Sequence, residues 1–442
     1  MKRTCQTSLI GCVILVTGLQ IILGADFSPD IISKEQIQKR IIENRTSDVC
    51  LTVRSANGKP LSGKNIEVRQ VRHKFLFGSN AFLIESELKR NDKALYDAYC
   101  NRFSALMNYA TLPFYWGSYE KEQNRTGEDR LKRMAEWCVS NEIRPKGHPL
   151  LWHQVPPGWL GAKNIDEIEF FQLGRIEREI KTFTGLIDTW DVVNEAVVMP
   201  KTQYPVGKLC AAKGNVELIK KAFECTRKQP GNRTLLLNDY DDARKYAELI
   251  HKCVQEGVGI DVIGYQSHMH SQYWKPQRTW EVCQLLGHFG KPLHFTELTI
   301  LSGREKPGEA GKDDDHKGWT SEAGDEQIQA ERVTEFYSIL FSHPSVEAIT
   351  WWDFSDLRAW RKAPAGLLRS DMSPKPAYDA LLQLIKKDWW TGPLKLKTDK
   401  DGRVFFRGFL GKYHVNTEDS KSFFEIIQPG KSDVLVKLGG KQ

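Results

Sequence analysis

The spacing of hydrophobic positions changes near Phe75, and this change divides the chain into parts. Before it, residues 49–71 alternate between apolar and polar side chains around glycine-containing turns, which predicts a pair or more of β-strands. A short helix is predicted ahead of them, over Ser33 to Asn44. After Phe75, short apolar runs alternate with longer amphipathic stretches, the pattern of strand–helix units around a parallel sheet.

Eight of the apolar runs have the length of strands that are buried on both faces. They are Phe75–Gly78, Phe103–Met107, Arg144–Gly147, Leu186–Val193, Thr234–Asn238, Asp261–Gln266, Pro292–Glu297 and Ala348–Trp352. Helices are predicted in the intervals, over 129–141, 165–183, 216–227, 243–256 and 325–341. Together they predict an α/β fold, a closed (β/α)8 TIM barrel over residues 73–390. A doubly wound open sheet would carry a glycine-rich phosphate turn after its first strand, and none is present there.

The two ends of the chain add smaller elements to this barrel. Residues 1–24 have the charged start, apolar centre and small final residues of a signal peptide, so we expect a secreted protein. An uncleaved membrane anchor is the alternative; after cleavage no membrane association is expected. Residues 25–72 form a helix and β lead-in. Residues 391–442 alternate again and predict a small β appendage, one arrangement being a sheet shared with the N-terminal strands.

Charge and cysteine content narrow the classes of function. The net charge of +7 is modest and no Lys/Arg run would follow a phosphate backbone, so we expect no nucleic-acid partner. Without the signal segment seven cysteines remain, an odd number, so at least one thiol is free or paired between chains. Cys210 with Cys225 is the simplest pair to imagine, but the pairing cannot be read. Three glycosylation sequons begin at Asn44, Asn124 and Asn232.

The polar segment 303–324 follows the seventh predicted strand and should overhang the barrel mouth as a loop. Its acidic run at residues 313–315 could bind calcium, although no spaced ligand pattern follows, and a solvated loop is the simpler interpretation. We expect no metal and no organic cofactor. The 13 tryptophans favour a sugar ligand, because sugars often stack on aromatic faces.

Two glutamates stand at the ends of apolar runs. Glu195 ends the run from Trp190, and Glu297 ends the run from Leu293. Barrel enzymes carry their chemistry at the C-terminal ends of strands. Retaining hydrolysis of a glycosidic bond needs an acid and a nucleophilic carboxylate about 5–5.5 Å apart. The sequence therefore makes these two residues a candidate catalytic pair, although a single strand-end glutamate is more often a cap or a salt-bridge partner.

Longer motifs around these glutamates resemble those of the secreted xylanases of glycoside hydrolase family 10. The matching stretches, in the family's order and spacing over about 75–385, are 147–153 (GHPLLWH), 190–195 (WDVVNE), 237–240 (LNDY), 261–268 (DVIGYQSH), 296–298 (TEL), 349–356 (ITWWDFSD) and 373–378 (SPKPAY). The resemblance implies that Glu195 is the acid/base and Glu297 the nucleophile. It also implies substrate-binding roles for His148, Trp152, Asn194, Gln266, His268, Trp352 and Trp360. Among these, Asn194 would bind the 2-hydroxyl of the sugar and His268 would hold the nucleophile.

The chain departs from the family pattern at three places. Leu112 and Tyr115 replace the asparagine and lysine that bind the next sugar on the donor side. Gln154 is shifted relative to the family's glutamine, and Thr299 stands where an aspartate commonly follows the nucleophile. The catalytic pair is intact, while groups that recognise xylan are depleted.

The sequence therefore predicts a secreted, monomeric, retaining endo-β-1,4-glycanase that acts on xylan, a plant polysaccharide. A β-1,4-glucanase of cellulase type is an alternative in substrate. A protein that kept the fold and binds carbohydrate with little or no turnover is an alternative in class, although such a binder has no use for a paired acid and nucleophile. A third alternative, an intracellular barrel enzyme on small metabolites, is opposed by the signal segment.

Overall fold

The computed structural model describes residues 29–305, 319–322 and 324–438. Its strands in chain order are β1 (Thr46–Ser55), β2 (Asn65–His73), β3 (Leu76–Asn80), β4 (Tyr109–Pro113), β5 (Arg144–His148), β6 (Thr189–Asn194), β7 (Thr234–Asp239), β8 (Val262–Met269), β9 (Leu293–Ile300), β10 (Arg304–Glu305), β11 (Trp319–Thr320), β12 (Val346–Trp351), β13 (Leu394–Lys397), β14 (Arg403–Phe409), β15 (Gly411–Asn416), β16 (Lys421–Ile426) and β17 (Gly430–Leu438). Its α-helices are Lys34–Arg45, Leu88–Asn91, Lys93–Leu106, Trp116–Tyr119, Glu128–Ser140, Ile165–Thr182, Pro205–Lys213, Asn215–Arg227, Ala243–Gln255, Pro276–Gly287, Asp325–Ser342 and Pro376–Gln383.

Eight of these strands close into a barrel in the order β12-β3-β4-β5-β6-β7-β8-β9. All of its pairings are parallel, and helices lie between successive strands. Parallel strands covered by helices are buried on both faces, which is why every position of β6 and β9 is buried. The predicted (β/α)8 barrel is confirmed.

One predicted strand was wrong. The run Phe103–Met107 is the end of the helix Lys93–Leu106 and its C-cap, and the second barrel strand is Tyr109–Pro113. Tyr96, Tyr99 and Phe103 are buried at helical spacing, so the apolar run continues one face of a helix. A short apolar run does not by itself distinguish strand from helix, and the proline that ends β4 is untypical of a central strand.

The N- and C-terminal segments form one unit instead of two separate appendages. β1 lies between β14 and β17, and β2 lies between β13 and β15, with β16 at the edge. The two sheets bury a core of their own between them, in which Val49, Leu51, Val68, Tyr413 and Val415 are inaccessible or nearly so. The prediction that the C-terminal strands share a sheet with the N-terminal ones is confirmed.

Arg45, at the end of the helix Lys34–Arg45, ties this unit to the barrel. Its buried guanidinium donates to the carbonyl oxygens of Phe341 (2.6 Å), His343 (2.5 Å) and Val346 (2.7 Å). Burial lowers the pKa of Arg45 to about 10, so the side chain remains charged at neutral pH.

We expect Arg45→Met to lower the free energy of unfolding by about 3 kcal/mol, because three buried carbonyl groups lose their donor. Urea unfolding followed by fluorescence measures this change. Lys39→Ala on the same helix is the control, because the Lys39 side chain is 64% exposed. Equal stability of the two variants would contradict the role of Arg45.

Several predictions concern segments at the edges of the described residues. The signal segment and the acidic run 313–315 lie outside them. The ends of that loop pair as β10 and β11, and Trp319 lies against His270, with ring centres 6.1 Å apart.

The seven cysteines from Cys50 to Cys283 are free thiols, so the imagined pair of Cys210 with Cys225 is not formed. Within the described ranges no helix has the length and apolarity needed to cross a bilayer.

Candidate active site

Glu195 follows the last residue of β6 and points into the barrel mouth beside Asn194. Neighbouring residues of a strand normally point to opposite faces. Glu195 departs from that rule because its backbone is left-handed, with φ of 60°. A non-glycine residue in this region carries a conformational cost, and such residues concentrate at functional sites.

Glu297 points into the same mouth because of a different local feature, an irregularity in the pairing of its strand. The pairing of β9 with β8 shifts register between Phe295 and Glu297, so that Thr296 is an extra residue, a β-bulge. Phe295 packs outward against Phe336 of a covering helix. Thr296 and Glu297 both point inward, as shown by the hydrogen bond that each forms with the side chain of Asn238 on β7.

A chain of side-chain amides connects the two carboxyl groups. Asn238 Nδ2 donates to Glu297 Oε1 (3.0 Å) and to Asn194 Oδ1 (2.8 Å). Its own Oδ1 accepts from the Thr296 hydroxyl (2.6 Å), which fixes which way the amide faces. Gln266 Nε2 bridges Asn194 Oδ1 and Glu195 Oε1, at 3.2 and 3.3 Å. The predicted residues Asn194, Gln266, Glu195 and Glu297 therefore lie in one continuous network.

Glu195 is set up to be protonated at neutral pH. Burial raises its pKa to about 8, the charge of Glu297 adds to this, and a hydrogen bond from Trp152 opposes it. That bond runs from Trp152 Nε1 to Oε2 over 2.7 Å. A carboxyl group with a raised pKa can give a proton to a leaving oxygen.

Glu297 is set up to be ionised. Burial alone would raise its pKa, but the imidazoles of His148 and His268 outweigh burial and the pKa is lowered. His268 Nε2 lies 3.2 Å from Oε2, and His148 Nε2 lies 3.8 Å from Oε1. Two nearby carboxyl groups with pKa values pushed in opposite directions are the arrangement that divides acid from nucleophile.

His148 is held in turn by a fully buried charge pair inside the barrel. Its Nδ1 donates to Asp191 Oδ2 over 2.6 Å, and Lys146 Nζ lies 2.7 Å from the same oxygen. Burial opposes ionisation of Asp191, but Lys146 and His148 lower its pKa overall. Nδ1 of His148 therefore carries the hydrogen, and Nε2 faces Glu297.

Aromatic rings surround this polar centre. Trp352 is buried and lies edge-on to both His148 (5.6 Å) and His268 (6.2 Å). Trp360 is 48% exposed and lies 4.7 Å from His268, where a ligand could stack on it. Trp351, the neighbour of Trp352, is fully buried and does not line the mouth. All nine predicted site residues thus lie together at the C-terminal end of the barrel.

Tyr115, one of the positions that depart from the family pattern, forms an aromatic wall together with Phe82. Tyr115 lies 5.5 Å from the Trp152 ring and 5.8 Å from both His148 and Phe82. Phe82 also lies edge-on to Trp352 at 5.2 Å. Leu112 is fully buried and offers no group to a ligand.

Sequence reasoning missed Asn238, Asp191 and Phe82 as members of the site. Asn238 and Asp191 were within quoted motifs, and a polar residue inside an otherwise apolar strand was a signal that could have found them. Phe82 follows β3 without a motif of its own. Among the described residues no cluster of three His, Cys, Asp or Glu side chains is arranged to hold a metal ion.

The barrel and its paired carboxyl groups define the class of protein, a (β/α)8-barrel glycoside hydrolase. The model of the glycosyl hydrolase family 10 matches residues 73–384, and the chain belongs to this family.

Similar proteins extend this result. The chain is 26% identical to the endo-1,4-beta-xylanase 1 of Arabidopsis thaliana, over 97% of this chain and 41% of that protein. It is 25% identical to the endo-1,4-beta-xylanase B of Thermotoga neapolitana, over 62% and 78%. The xylanase 10B of Thermotoga petrophila RKU-1, solved with xylobiose, has the same fold at a TM-score of 0.61 and 23% identity, over 71% of this chain and 95% of that one. The chain thus spans less than half the length of its plant relative.

Proposed function

We propose that this protein is a retaining endo-β-1,4-xylanase in which Glu195 is the acid/base and Glu297 the nucleophile. The observation that carries the proposal is the opposite protonation of the two buried carboxyl groups, a raised pKa of about 8 at Glu195 and a lowered pKa at Glu297. Family membership and the names of the xylanase relatives support the choice of substrate.

In the first step Glu297 attacks the anomeric carbon while Glu195 gives its proton to the leaving oxygen. The bond to the leaving sugar breaks as an ester bond to Glu297 forms. Glu297 thereby loses its negative charge, which had helped to raise the pKa of Glu195. In the second step Glu195 can therefore act as the base toward water, and the configuration is retained.

Asn194 is suited to bind the 2-hydroxyl group of the sugar that reacts. Its Oδ1 already accepts from Asn238 and Gln266, so its orientation is fixed and its Nδ2 faces Glu195 and the mouth. Such a contact stabilises the transition state most when it is held rigidly beforehand. Trp360, exposed at the rim, is the ring best placed for stacking on a further sugar.

Action on β-1,4-glucan is the second candidate, favoured by the wall of Phe82 and Tyr115. Tyr115 stands where the family has a lysine that binds xylan, Leu112 replaces the asparagine with a buried side chain, and Phe82 packs against Tyr115. A donor site with fewer fixed hydrogen bonds discriminates less between pentose and hexose chains.

The experiment that decides between them is product analysis on purified linear xylan, arabinoxylan, mixed-linkage glucan and cellulose side by side. We expect internal cleavage of xylan, with a mixture of short oligosaccharides as early products. Cleavage of glucans alone would replace the substrate, and binding without any cleavage would favour a carbohydrate-binding protein.

The pH profile of hydrolysis is a second prediction. kcat/KM should rise with pH as Glu297 ionises below its usual range, because only the carboxylate attacks. It should fall again near pH 8, because Glu195 then loses the proton it must donate. Initial rates on a soluble xylooligosaccharide between pH 3 and 10 measure both limbs. A fall centred below pH 6 would contradict the assignment of the acid.

Secretion, a monomeric state and freedom from cofactors complete the proposal. Secretion is supported by the composition of residues 1–24. N-terminal sequencing of protein exported by a eukaryotic host tests it, with a new terminus near Ala25 as the expected result.

A further inference from the structure

One outer face of the terminal β unit carries a concentration of positive charge. The four-stranded sheet β13-β2-β15-β16 has one side against the core of this unit and the other toward solvent. Because side chains alternate along each strand, the register shows which residues share the solvent side, here called the basic face. Its charged side chains are six cations, Arg69, Arg72, Lys395, Lys397, Lys412 and Lys421, and two carboxylates, Glu67 and Glu425.

The basic face holds a large share of the charge of the whole protein. Six cations and two carboxylates leave a net charge of +4, compared with +7 for the entire chain. Burial lowers the pKa of His414, in the middle of this face, and the charges of three neighbours lower it further, namely Lys421, Arg69 and Lys412. The lowered pKa is the response of an imidazole to a positive potential.

The cations of the basic face do not hold the fold together by ion pairing. Within the residues that the structure describes, none of the six forms a salt bridge. The opposite outer face, on β14-β1-β17, is different. There Arg407 pairs with Asp48 at 2.7 Å, and Arg403 pairs with Asp399 at 3.3 Å.

Two of the unpaired cations are direct neighbours. Arg72 on β2 and Lys412 on β15 are cross-strand partners, and like charges in this position destabilise a sheet. The acidic residues Glu418 and Asp419 lie beyond the face, in the turn between β15 and β16. Folding therefore gains nothing from this placement of charge, whereas an anionic ligand would be attracted by it.

An exposed aromatic ring lies among the cations. Phe423 on β16 is 52% exposed and is the cross-strand neighbour of His414. The ammonium groups of Lys412 and Lys421 lie 5.1 and 5.5 Å from the centre of its ring. An aromatic ring can cover the apolar face of a sugar, and ammonium groups bind carboxylates. A sugar resting on Phe423 would thus bring a carboxylate within reach of both lysines.

The basic face lies at the end of the barrel opposite to the mouth. The pKa of Arg72 responds to the charges of Glu142, Arg144 and Asp188, which precede or begin β5 and β6. These residues mark the N-terminal end of the barrel, whereas the candidate active site is at the C-terminal end. A ligand of the basic face is therefore distinct from the sugar that reacts.

We infer that the basic face, centred on Phe423, Lys412 and Lys421, binds a polysaccharide that carries uronic-acid groups. Other polyanions fit less well. Single-stranded nucleic acid is bound by successive stacking rings, and a bilayer by several inserted apolar side chains. The four strands of the face carry one large exposed hydrophobic side chain, that of Phe423.

The use of this binding to catalysis rests on the proposed function, in which the barrel cleaves xylan. A face that holds one part of a xylan with uronic-acid side groups raises the concentration of other parts of the polymer at the mouth. The binding itself depends only on the charges and the ring described above.

Affinity electrophoresis in native gels that contain a polysaccharide tests the binding, because a bound protein migrates more slowly. Glu297→Gln is the parent chain, so that the polymer is not cut. We expect glucuronoxylan to bind about tenfold more tightly than its carboxyl-reduced form, and salt to weaken the binding. Lys412→Gln combined with Lys421→Gln should raise Kd about tenfold, and Phe423→Ala about fivefold.

The opposite outer face supplies matched controls. Lys431→Gln combined with Lys437→Gln removes the same charge from exposed positions of β17. Phe405→Ala removes a ring that is 65% exposed. Both controls should bind glucuronoxylan within about twofold of the parent. Circular dichroism shows that each variant is folded.

Three results would overturn the inference. One is equal retardation by glucuronoxylan and by its carboxyl-reduced form. Another is an equal loss of binding in the two double-lysine variants. The third is tighter binding to single-stranded DNA or to phosphatidylserine vesicles than to glucuronoxylan, which would assign the face to another class of partner.

Kinetics show whether the binding serves hydrolysis, with Glu297 restored. The rate on insoluble glucuronoxylan, divided by that on a soluble neutral xylooligosaccharide, should fall about fivefold when Lys412 and Lys421 are both replaced. An unchanged ratio would refute the consequence for catalysis. Carboxylate-dependent binding in a protein that hydrolyses no xylan would leave the inference standing and refute the proposed function. Xylan hydrolysis without such binding would do the reverse.

Discussion

Replacing Glu297 by glutamine is expected to lower kcat on xylan by on the order of 10⁵-fold, the scale of loss when a covalent nucleophile is removed. Glutamine keeps the shape of the side chain and can still accept from Asn238, but it has no charge to attack the anomeric carbon. Initial rates of reducing-sugar release measure the loss. Glu224→Gln, on the exposed face of the helix Asn215–Arg227, is the matched control and should retain full activity.

The stereochemistry of rescue identifies the role of Glu297. In Glu297→Ala, azide can enter the space of the missing carboxylate and attack an aryl β-xyloside from the face opposite the leaving group. The expected product is the α-glycosyl azide, because one displacement inverts the configuration. Turnover of Glu297→Gln near that of the unaltered enzyme, or a β-azide from Glu297→Ala, would show that another group forms the bond to the sugar.

The barrel could be predicted from the sequence because most of its strands are recognisable as short apolar runs. A parallel strand covered by helices is mostly apolar, so runs such as Leu235–Leu237 are visible in any window of the sequence. The second strand was missed where this signal was ambiguous. Phe103 and Leu106 extend a helical face into an apolar run, and β4 itself ends in Pro113.

The positions of site residues were predictable, whereas their contacts were not. Most of the motifs lie at or just beyond the C-terminal ends of strands, so their residues were expected to meet at one rim of the barrel. The bond from Asn238 to both Asn194 and Glu297 joins three strands, and no pattern along one strand encodes it. The hydrogen bond from the Thr299 hydroxyl to the backbone oxygen of Trp352 likewise joins residues that are 53 apart in the sequence.

The bulge at Thr296 and the left-handed backbone of Glu195 are further details that propensity does not reveal. Both re-aim a side chain that regular alternation would direct away from the mouth. Local rules fail at these two residues because the site requires adjacent side chains to face the same way. Such failures are expected at functional positions.

Replacing Glu195 by glutamine is expected to lower kcat/KM on xylan by about 10²- to 10⁴-fold, the usual contribution of a positioned acid or base. The loss should depend on the leaving group, because a sugar oxygen needs a proton and a dinitrophenolate does not. On a dinitrophenyl β-xyloside the first step is therefore nearly preserved. The second step slows, because water no longer meets a base, and the glycosyl-enzyme accumulates. Rapid-mixing measurements should show a burst of dinitrophenol followed by slow turnover.

Azide again separates this role from that of Glu297. In Glu195→Ala it needs no base to attack the glycosyl-enzyme, so it should accelerate turnover and give the β-glycosyl azide, the product of two inversions. The descending limb of the pH profile near pH 8 should also disappear, because its titrating group is gone. A limb that persisted unchanged in Glu195→Gln would assign that proton to another group and contradict the role of Glu195 as the acid.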